Sequence, residues 1–267
     1  MTGIFDSGFG GLSVLKEIVK LLPGESYLYY ADSAHCPYGE KSRDYVIERA
    51  LYISRLLMDR GADIIVVACN TATAAAIKTL RATWPDFPFV GMEPAVKPAA
   101  LHTRSGVIGV LATAGTFKGS NYLDLREKYS SQTQVTEHVG KGFVELVEQG
   151  RLDGPEVEKT VREAVEPLLR AGADTIVLGC THYPFLEPMI RRVAGPDVEI
   201  INPAPAVARQ VERLLPSHRE SNGPDTGTGS GTGNPGTEHH DTKHPDITVL
   251  SSGPSISDDT VARFLSL

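Results

Sequence analysis

The amino-acid sequence predicts an α/β fold with two pseudo-symmetric α/β units, each built on a mainly parallel β-sheet covered by helices. The first observation is that short apolar runs alternate with helical patterns along most of the 267 residues, which is typical of parallel sheets with helical crossovers. The second is an internal repeat: residues 61–71 read GADIIVVACNT and residues 172–182 read GADTIVLGCTH. A strand that ends in a cysteine therefore recurs after 111 residues.

Nine β-strands are predicted from short runs of β-branched and other apolar residues. The clearest is Thr175–Gly179, which reads TIVLG, because a run without charged side chains fits a strand that is buried on both faces of a parallel sheet. In chain order the predicted strands are residues 4–5, 27–31, 64–68, 87–92, 107–112, 135–139, 175–179, 198–201 and 247–250.

Six α-helices are predicted between these strands, where apolar residues recur at helical spacing. After the second repeated strand, Thr181 and Pro184 indicate a helix start, since a hydroxyl suits the cap and proline suits the first turn. In chain order the predicted helices are residues 12–22, 43–60, 73–84, 155–171, 185–193 and 204–215.

Composition limits the classes of function. Hydrophobic residues make up 41% of the chain and the net charge is −7, without a basic stripe of the kind that binds nucleic acid. No apolar segment reaches the ~18 to 20 residues of a membrane span, and the first residues do not resemble an export signal. Three widely separated cysteines then predict reduced thiols in a cytoplasmic protein.

Residues 216–245 depart from the alternating pattern. They contain almost no apolar side chains, so they cannot bury enough surface to offset the entropy of ordering, and a flexible insertion is predicted. Four of the eight histidines lie here (His218, His239, His240 and His244). Without neighbouring cysteines or a fixed scaffold, a solvated polar loop is a better interpretation than a metal site.

The repeated cysteines, Cys69 and Cys180, indicate the chemistry. In parallel sheets ligands gather at the carboxyl ends of strands, so two units facing one another would direct both thiols at one ligand. Inversion of a stereocentre by proton transfer needs a base on one face of the carbon and an acid on the other. A cysteine pKa near ~8.5 can be lowered by neighbours, so one thiolate and one thiol can fill these roles. A racemase or epimerase of a carbon acid is therefore predicted.

Further polar residues follow the predicted strands. Each could be an ordinary helix cap, but their recurrence beside both thiols favours a functional role. Cys36 has no counterpart in the repeat, and a structural role is expected for it. The candidates near the strand ends are Asp6, Ser7, Asp32, Asn70, Thr71, Thr181 and His182.

Five motifs in register resemble the glutamate racemase family of cofactor-independent amino-acid racemases: FDSGFGGLSV, the loop from Asp32 to PYG, VVACNTATA, LATAGT and LGCTHYPFL. The resemblance implies two α/β domains with the active site in the cleft between them. The expected boundaries are residues 1–92 with 204–267 for the first domain and residues 93–203 for the second. The resemblance also implies that the protein interconverts L- and D-glutamate for peptidoglycan synthesis. It further implies a homodimer and a reaction that needs neither a metal nor pyridoxal phosphate.

The resemblance also implies roles for individual residues. Cys69 and Cys180 resemble the two acid/base thiols of the family, and Asp6 resembles a carboxylate beside the first thiol. His182 and Glu148 resemble an imidazole and a carboxylate on the second side, and Asp32 resembles another aspartate of the site. Substrate contacts are expected from Asp6, Ser7, Tyr38, Gly39, Asn70, Thr71, Thr181 and His182, with Thr113 and Thr116 as weaker candidates.

Three alternatives stay open. A racemase for aspartate, a hydantoin or a related diacid would have the same strand-end cysteines. A Cys-His hydrolase would use Cys180 with His182, although residues two apart at a helix start are not expected to face each other. A non-catalytic amino-acid-binding protein on this scaffold would be expected to lack at least one thiol.

Overall fold

The computed structural model describes residues 1–221, 246–254 and 257–266. All nine predicted strands are present, each with bounds within two residues of the prediction. The strands are β1 (Thr2–Asp6), β2 (Ser26–Ala31), β3 (Ile64–Val67), β4 (Phe89–Gly91), β5 (Val107–Ala112), β6 (Gln134–Val139), β7 (Thr175–Gly179), β8 (Glu199–Ile201) and β9 (Asp246–Ser251).

The strands form two sheets in which every described pairing is parallel, as the sequence predicts. The larger sheet has the order β4-β3-β1-β2-β9, and the smaller has the order β6-β5-β7-β8. Written from its other edge, the smaller sheet has the order β8-β7-β5-β6, which corresponds strand by strand to β4-β3-β1-β2 of the larger sheet. Strands β3 and β7 therefore occupy equivalent positions. These are the two strands of the sequence repeat, and each is followed by a cysteine at its carboxyl end.

Within the described ranges all six predicted α-helices are present, together with five that the sequence analysis did not predict. The helices are α1 (Leu12–Leu21), α2 (Arg43–Asp59), α3 (Asn70–Thr83), α4 (Val96–His102), α5 (Ala114–Phe117), α6 (Ser120–Tyr129), α7 (Phe143–Glu148), α8 (Pro155–Arg170), α9 (Glu187–Ala194), α10 (Ala204–Ser221) and α11 (Asp258–Ser266). The unpredicted ones, α4–α7 and α11, have ten residues or fewer, too short for a strong periodic pattern.

Three helix boundaries differ from the prediction by two residues or more. Helix α3 begins three residues early, at Asn70, because Cys69 serves as its N-cap. Helix α9 is preceded by a 3₁₀ turn, Tyr183–Leu186. Helix α10 continues to Ser221, so residues 216–221 of the predicted insertion are helical, while residues 222–245 lie outside the described part of the chain.

The hydrophobic core connects the two sheets. One buried cluster includes Ile4 and Tyr29 from the larger sheet and Ile176 and Leu178 from the smaller one, together with apolar side chains of α1, α8 and α10. Because both sheets pack into this cluster, the positions of their strand ends relative to one another are set by apolar packing. In the described ranges, no helix combines the length and apolar character that crossing a membrane requires.

Candidate active site

The carboxyl ends of strands from both sheets meet at a small cavity. Ser7 follows β1, Cys69 lies just beyond β3, Thr113 follows β5 and Cys180 follows β7. The two thiols of the repeat therefore line one cavity, as predicted. The full lining is Ser7, Pro37, Tyr38, Gly39, Cys69, Asn70, Thr71, Thr113, Val144, Cys180, Thr181 and His182.

The cavity is narrow. Its volume is about 10 Å³, which is close to the minimum that holds one water molecule. Both cysteines are buried, with 5% of Cys69 and 6% of Cys180 exposed. A ligand larger than water can therefore enter only when the walls separate.

Cys69 is placed by the start of helix α3. As the N-cap, its Sγ accepts a hydrogen bond from the backbone N–H of Ala72 at 3.5 Å, and it lies 3.9 Å from Ser7 Oγ. Burial raises the pKa of the Cys69 thiol, and the nearby carboxylate of Asp6 raises it further. The helix N-terminus acts in the opposite direction, since its free N–H groups favour a thiolate.

Cys180 has an imidazole as its partner. The Sγ of Cys180 lies 3.8 Å from Nδ1 of His182, so the expectation that these two side chains would not face each other is wrong. The reason is local: His182 has helical φ and ψ angles and precedes the 3₁₀ turn. The chain thus bends directly after β7 and brings the ring back towards the thiol.

Glu148 binds the ring nitrogen of His182 that is not next to Cys180. Its Oε1 accepts hydrogen bonds from His182 Nε2 at 2.6 Å and from the backbone N–H of Phe9 at 2.7 Å. Burial lowers the pKa of His182, but hydrogen bonds to Cys180, Cys36 and Glu148 outweigh it and raise that pKa well above its usual value. These contacts favour the protonated form of the imidazole beside Cys180.

Asp6 lies between the two halves of the site and does not line the cavity. Its carboxylate accepts hydrogen bonds from Gly8 N–H and from the hydroxyl of Thr181, each at 3.1 Å. Burial raises the pKa of Asp6, and the charge of His182 lowers it in part. Asp6 therefore connects the β1 end of one sheet to the β7 end of the other.

The glycine-rich turn FDSGFGG permits this close packing. A Cβ atom at Gly8 would lie 2.3 Å from Oε1 of Glu148, and one at Gly10 would lie 2.3 Å from Nδ1 of His182. Side chains at these two positions would displace the Glu148–His182 pair. The turn therefore serves the site by leaving space for that pair.

Asp32 is buried behind the cavity wall and does not line it. Arg49 donates two hydrogen bonds to its carboxylate, at 2.8 and 2.9 Å, and the hydroxyl of Tyr38 donates another. Burial raises the pKa of Asp32, but these hydrogen bonds outweigh it and hold that pKa below its usual value. Tyr38 lines the cavity, so Asp32 contacts the site only indirectly, by holding the Tyr38 hydroxyl.

Polar groups on the cavity wall provide candidate ligand contacts. The side-chain amide of Asn70 is buried, and neither its nitrogen nor its oxygen has a hydrogen-bond partner. Hydroxyls of Thr71, Thr113 and Thr116 form a chain with spacings of 2.9 and 3.0 Å, of which Thr116 is the member behind the wall. Buried polar groups without partners are costly, so Asn70 is well placed to bind a polar ligand.

The structure adds residues that the sequence analysis did not assign to the site. Cys36 packs against the hydrophobic core, which fits the expected structural role, and it also lies beside His182 and Glu148; its position in the CPYG segment, next to Tyr38 and Gly39, was an available signal for this proximity. Arg49 and Val144 carried no such signal, because a charged residue and an apolar residue within helices are ordinary features.

A larger cavity has a volume of about 620 Å³. Helix α1 forms one side of it, and the 3₁₀ turn together with α9 forms the other. Its walls include Lys16, Pro184, Met189 and Arg192. Neither Cys69 nor Cys180 lines it, so the thiol chemistry belongs to the smaller cavity.

Comparisons with known proteins identify relatives that match most of the chain. Residues 5–211 match the Asp/Glu/Hydantoin racemase family. A glutamate racemase of Ectopseudomonas mendocina (strain ymp) is 53% identical over 216 residues, covering 81% of this chain and 82% of that protein. The Escherichia coli glutamate racemase, solved with L-glutamate and the activator UDP-MurNAc-ala, has a TM-score of 0.80 at 32% identity, covering 99% of this chain and 94% of its own. The isoform RacE1 of Bacillus anthracis has a TM-score of 0.80 at 30% identity, covering 100% and 94%.

Proposed function

This chain belongs to the Asp/Glu/Hydantoin racemase family, and we propose that it interconverts L- and D-glutamate by proton transfer at Cα between two cysteines. The proposal depends on one observation: Cys69 and Cys180, from equivalent strands of two similar sheets, line the same cavity. The name shared by its relatives supports glutamate as the substrate.

The reaction needs one thiolate and one thiol. The thiolate removes the α-hydrogen as a proton from one face of the substrate, and the thiol gives its proton to the opposite face of the carbanion. The charge on the two sulfurs is thereby exchanged, and the enzyme is ready for the reverse direction. The protonated imidazole of His182, 3.8 Å from Cys180 Sγ, stabilises negative charge on that sulfur.

The α-hydrogen of an amino acid is weakly acidic, so the site has to stabilise the carbanion and hold the substrate in one orientation. Candidate contacts for the two carboxylates and the ammonium group are Ser7, Tyr38, Gly39, Asn70, Thr71, Thr181 and His182. We also include Asp6 and Glu148 among the acid/base residues. Asp6 accepts a hydrogen bond from Thr181, and Glu148 accepts one from His182. We assign Asp32 a positioning role, because Arg49 and Tyr38 engage its oxygens. Neither a metal nor pyridoxal phosphate is needed for this reaction.

The test is to replace Cys69 and Cys180 singly with serine. Each variant should fold and lose at least about a hundredfold in kcat, because a serine hydroxyl is far less acidic than a thiol. Circular dichroism follows the loss of optical activity of L-glutamate, and incubation in D₂O reports exchange at Cα. Cys36→Ser is the matched control and should retain activity, while near-native racemisation by either site variant contradicts the two-thiol mechanism.

The same assay distinguishes the competing substrates and reaction classes. Loss of optical activity with L-aspartate or a hydantoin, but not with L-glutamate, would keep the mechanism and change the substrate. The Cys-His hydrolase deserves a direct test because Cys180 and His182 do face each other. A trapped acyl-enzyme on Cys180 would favour it, although that reaction leaves Cys69 without a role.

The cellular setting and assembly are part of the proposal. We propose two domains, residues 1–92 with 204–267 and residues 93–203; the two sheets of equivalent strand order support this division. We also propose a cytoplasmic homodimer that supplies D-glutamate for peptidoglycan, as the resemblance implies. Light scattering tests the dimer, and rescue of a depleted strain by D-glutamate tests the supply role.

A further inference from the structure

A third cysteine lies beside the acid/base pair. Cys36 follows the 3₁₀ turn Ser33–His35, Glu148 is the last residue of α7, and His182 follows β7. One donor atom from each of the three residues lies within 4.8 Å of the other two. The reaction proposed above uses Glu148 and His182 directly, and gives the thiol of Cys36 no part beyond its hydrogen bond with His182.

The three donor atoms form a ligand set that suits zinc. Thiolate sulfur, imidazole nitrogen and carboxylate oxygen bind this ion at about 2.0 to 2.3 Å in tetrahedral sites. Those bond lengths separate neighbouring ligand atoms by about 3.5 Å. The hydrogen bond between His182 Nε2 and Glu148 Oε1, now 2.6 Å, would lengthen by about 1 Å, which side-chain rotations can supply.

The charges also match a divalent cation. A thiolate at Cys36 and the carboxylate of Glu148 carry two negative charges between them, and Asp6 is close enough to interact with Glu148 electrostatically. Binding would displace one proton from the Cys36 thiol and one from the imidazolium of His182, both released to solvent. Burial raises the pKa of Cys36, but direct bonding to a cation overcomes such a shift.

We propose that Cys36, Glu148 and His182 form a zinc-binding site, and that zinc bound there inhibits the enzyme by taking the place of the Nε2 proton of His182 and breaking its hydrogen bond to Glu148. Three protein ligands leave the fourth position of the ion to water. The inhibitory consequence rests on the proposed racemase function, whereas binding of the metal does not.

The test uses Co²⁺ as a spectroscopic substitute for Zn²⁺, because a cobalt–thiolate bond has a charge-transfer absorption. The starting protein carries His239→Asn, His240→Asn and His244→Asn, which remove three of the four competing histidines of the predicted insertion. Cys36→Val is compared with it, and Cys36→Ala is the second variant if valine disturbs folding. Both variants keep Cys69 and Cys180, so any metal bound by those thiols appears equally in all samples.

The expected result is a cobalt–thiolate absorption that Cys36→Val lacks or needs at least about tenfold more cobalt to reach. The zinc concentration for half-inhibition of racemisation should rise by a similar factor, with the inhibition of each protein measured relative to its own activity before zinc addition. Equal cobalt affinity and absorption in the variant would overturn the site. If cobalt binds through Cys36 but the protein does not racemise glutamate, the metal site is supported and the proposed function is rejected.

Discussion

Replacing Glu148 with glutamine tests how the site keeps His182 protonated. Glu148 Oε1 accepts hydrogen bonds from His182 Nε2 and from Phe9 N–H. The side chain of His182 is 1% exposed and that of Glu148 is 20% exposed, so little solvent screens the pair. Glutamine keeps the size and one acceptor oxygen but removes the negative charge. The substitution therefore isolates the charge from the shape.

The size of the effect follows from the hydrogen bond. A hydrogen bond to a charged group contributes about 1.5 to 3 kcal/mol, and 1.36 kcal/mol corresponds to one pKa unit. The pKa of His182 should therefore fall by about one to two units in Glu148→Gln. If protonated His182 supports Cys180, the alkaline limb of the pH–rate profile shifts down by the same amount, and kcat at a pH on that limb falls about 10- to 100-fold.

The assay is racemisation of glutamate followed by circular dichroism, with kcat and KM measured from about pH 6 to pH 10. Glu145→Gln is the matched control, since Glu145 is an exposed residue of the same helix. It removes the same charge one turn away and should leave the profile in place. An unmoved alkaline limb with kcat within about twofold of the native value would refute the role assigned to Glu148.

Three further predictions follow from the packing around the site. Gly10→Ala should reduce activity more than about tenfold, since its Cβ would overlap His182, whereas Gly24→Ala, with open space around its Cβ, should be active; equal activities contradict the packing argument. Arg49→Met should cost about 3 to 5 kcal/mol in the free energy of unfolding by leaving the buried carboxylate of Asp32 without its guanidinium partner, and a urea titration showing less than 1 kcal/mol would contradict this. Folding raises the pKa of His182 above 6.5, so its stabilisation is complete below about pH 6.5 and declines by up to about 1.4 kcal/mol per pH unit as the pH rises towards the folded-state pKa. The stability difference between the native protein and His182→Gln should therefore shrink between pH 6.5 and pH 8, and a constant difference would show that the proton is not gained on folding.

Much of the fold could be predicted because its elements are encoded locally. The strand Thr175–Gly179 is a continuous apolar run, and its repeat at residues 64–68 has the same pattern. These runs predicted the parallel sheets and placed Cys69 and Cys180 at strand ends. Short helices such as Phe143–Glu148 were missed, because one or two turns contain too few residues to show a period.

The sequence by itself determined which groups are available for chemistry: two thiols after matched strands, with polar residues beside them. Only the tertiary structure decided which of these groups touch. It paired Asp32 with Arg49 behind Tyr38, turned His182 towards Cys180, and brought Cys36 next to Glu148 across more than a hundred residues of chain. The physical reason is that strand and helix formation depend on nearby residues, whereas contacts between distant side chains depend on how the two sheets pack through their shared core.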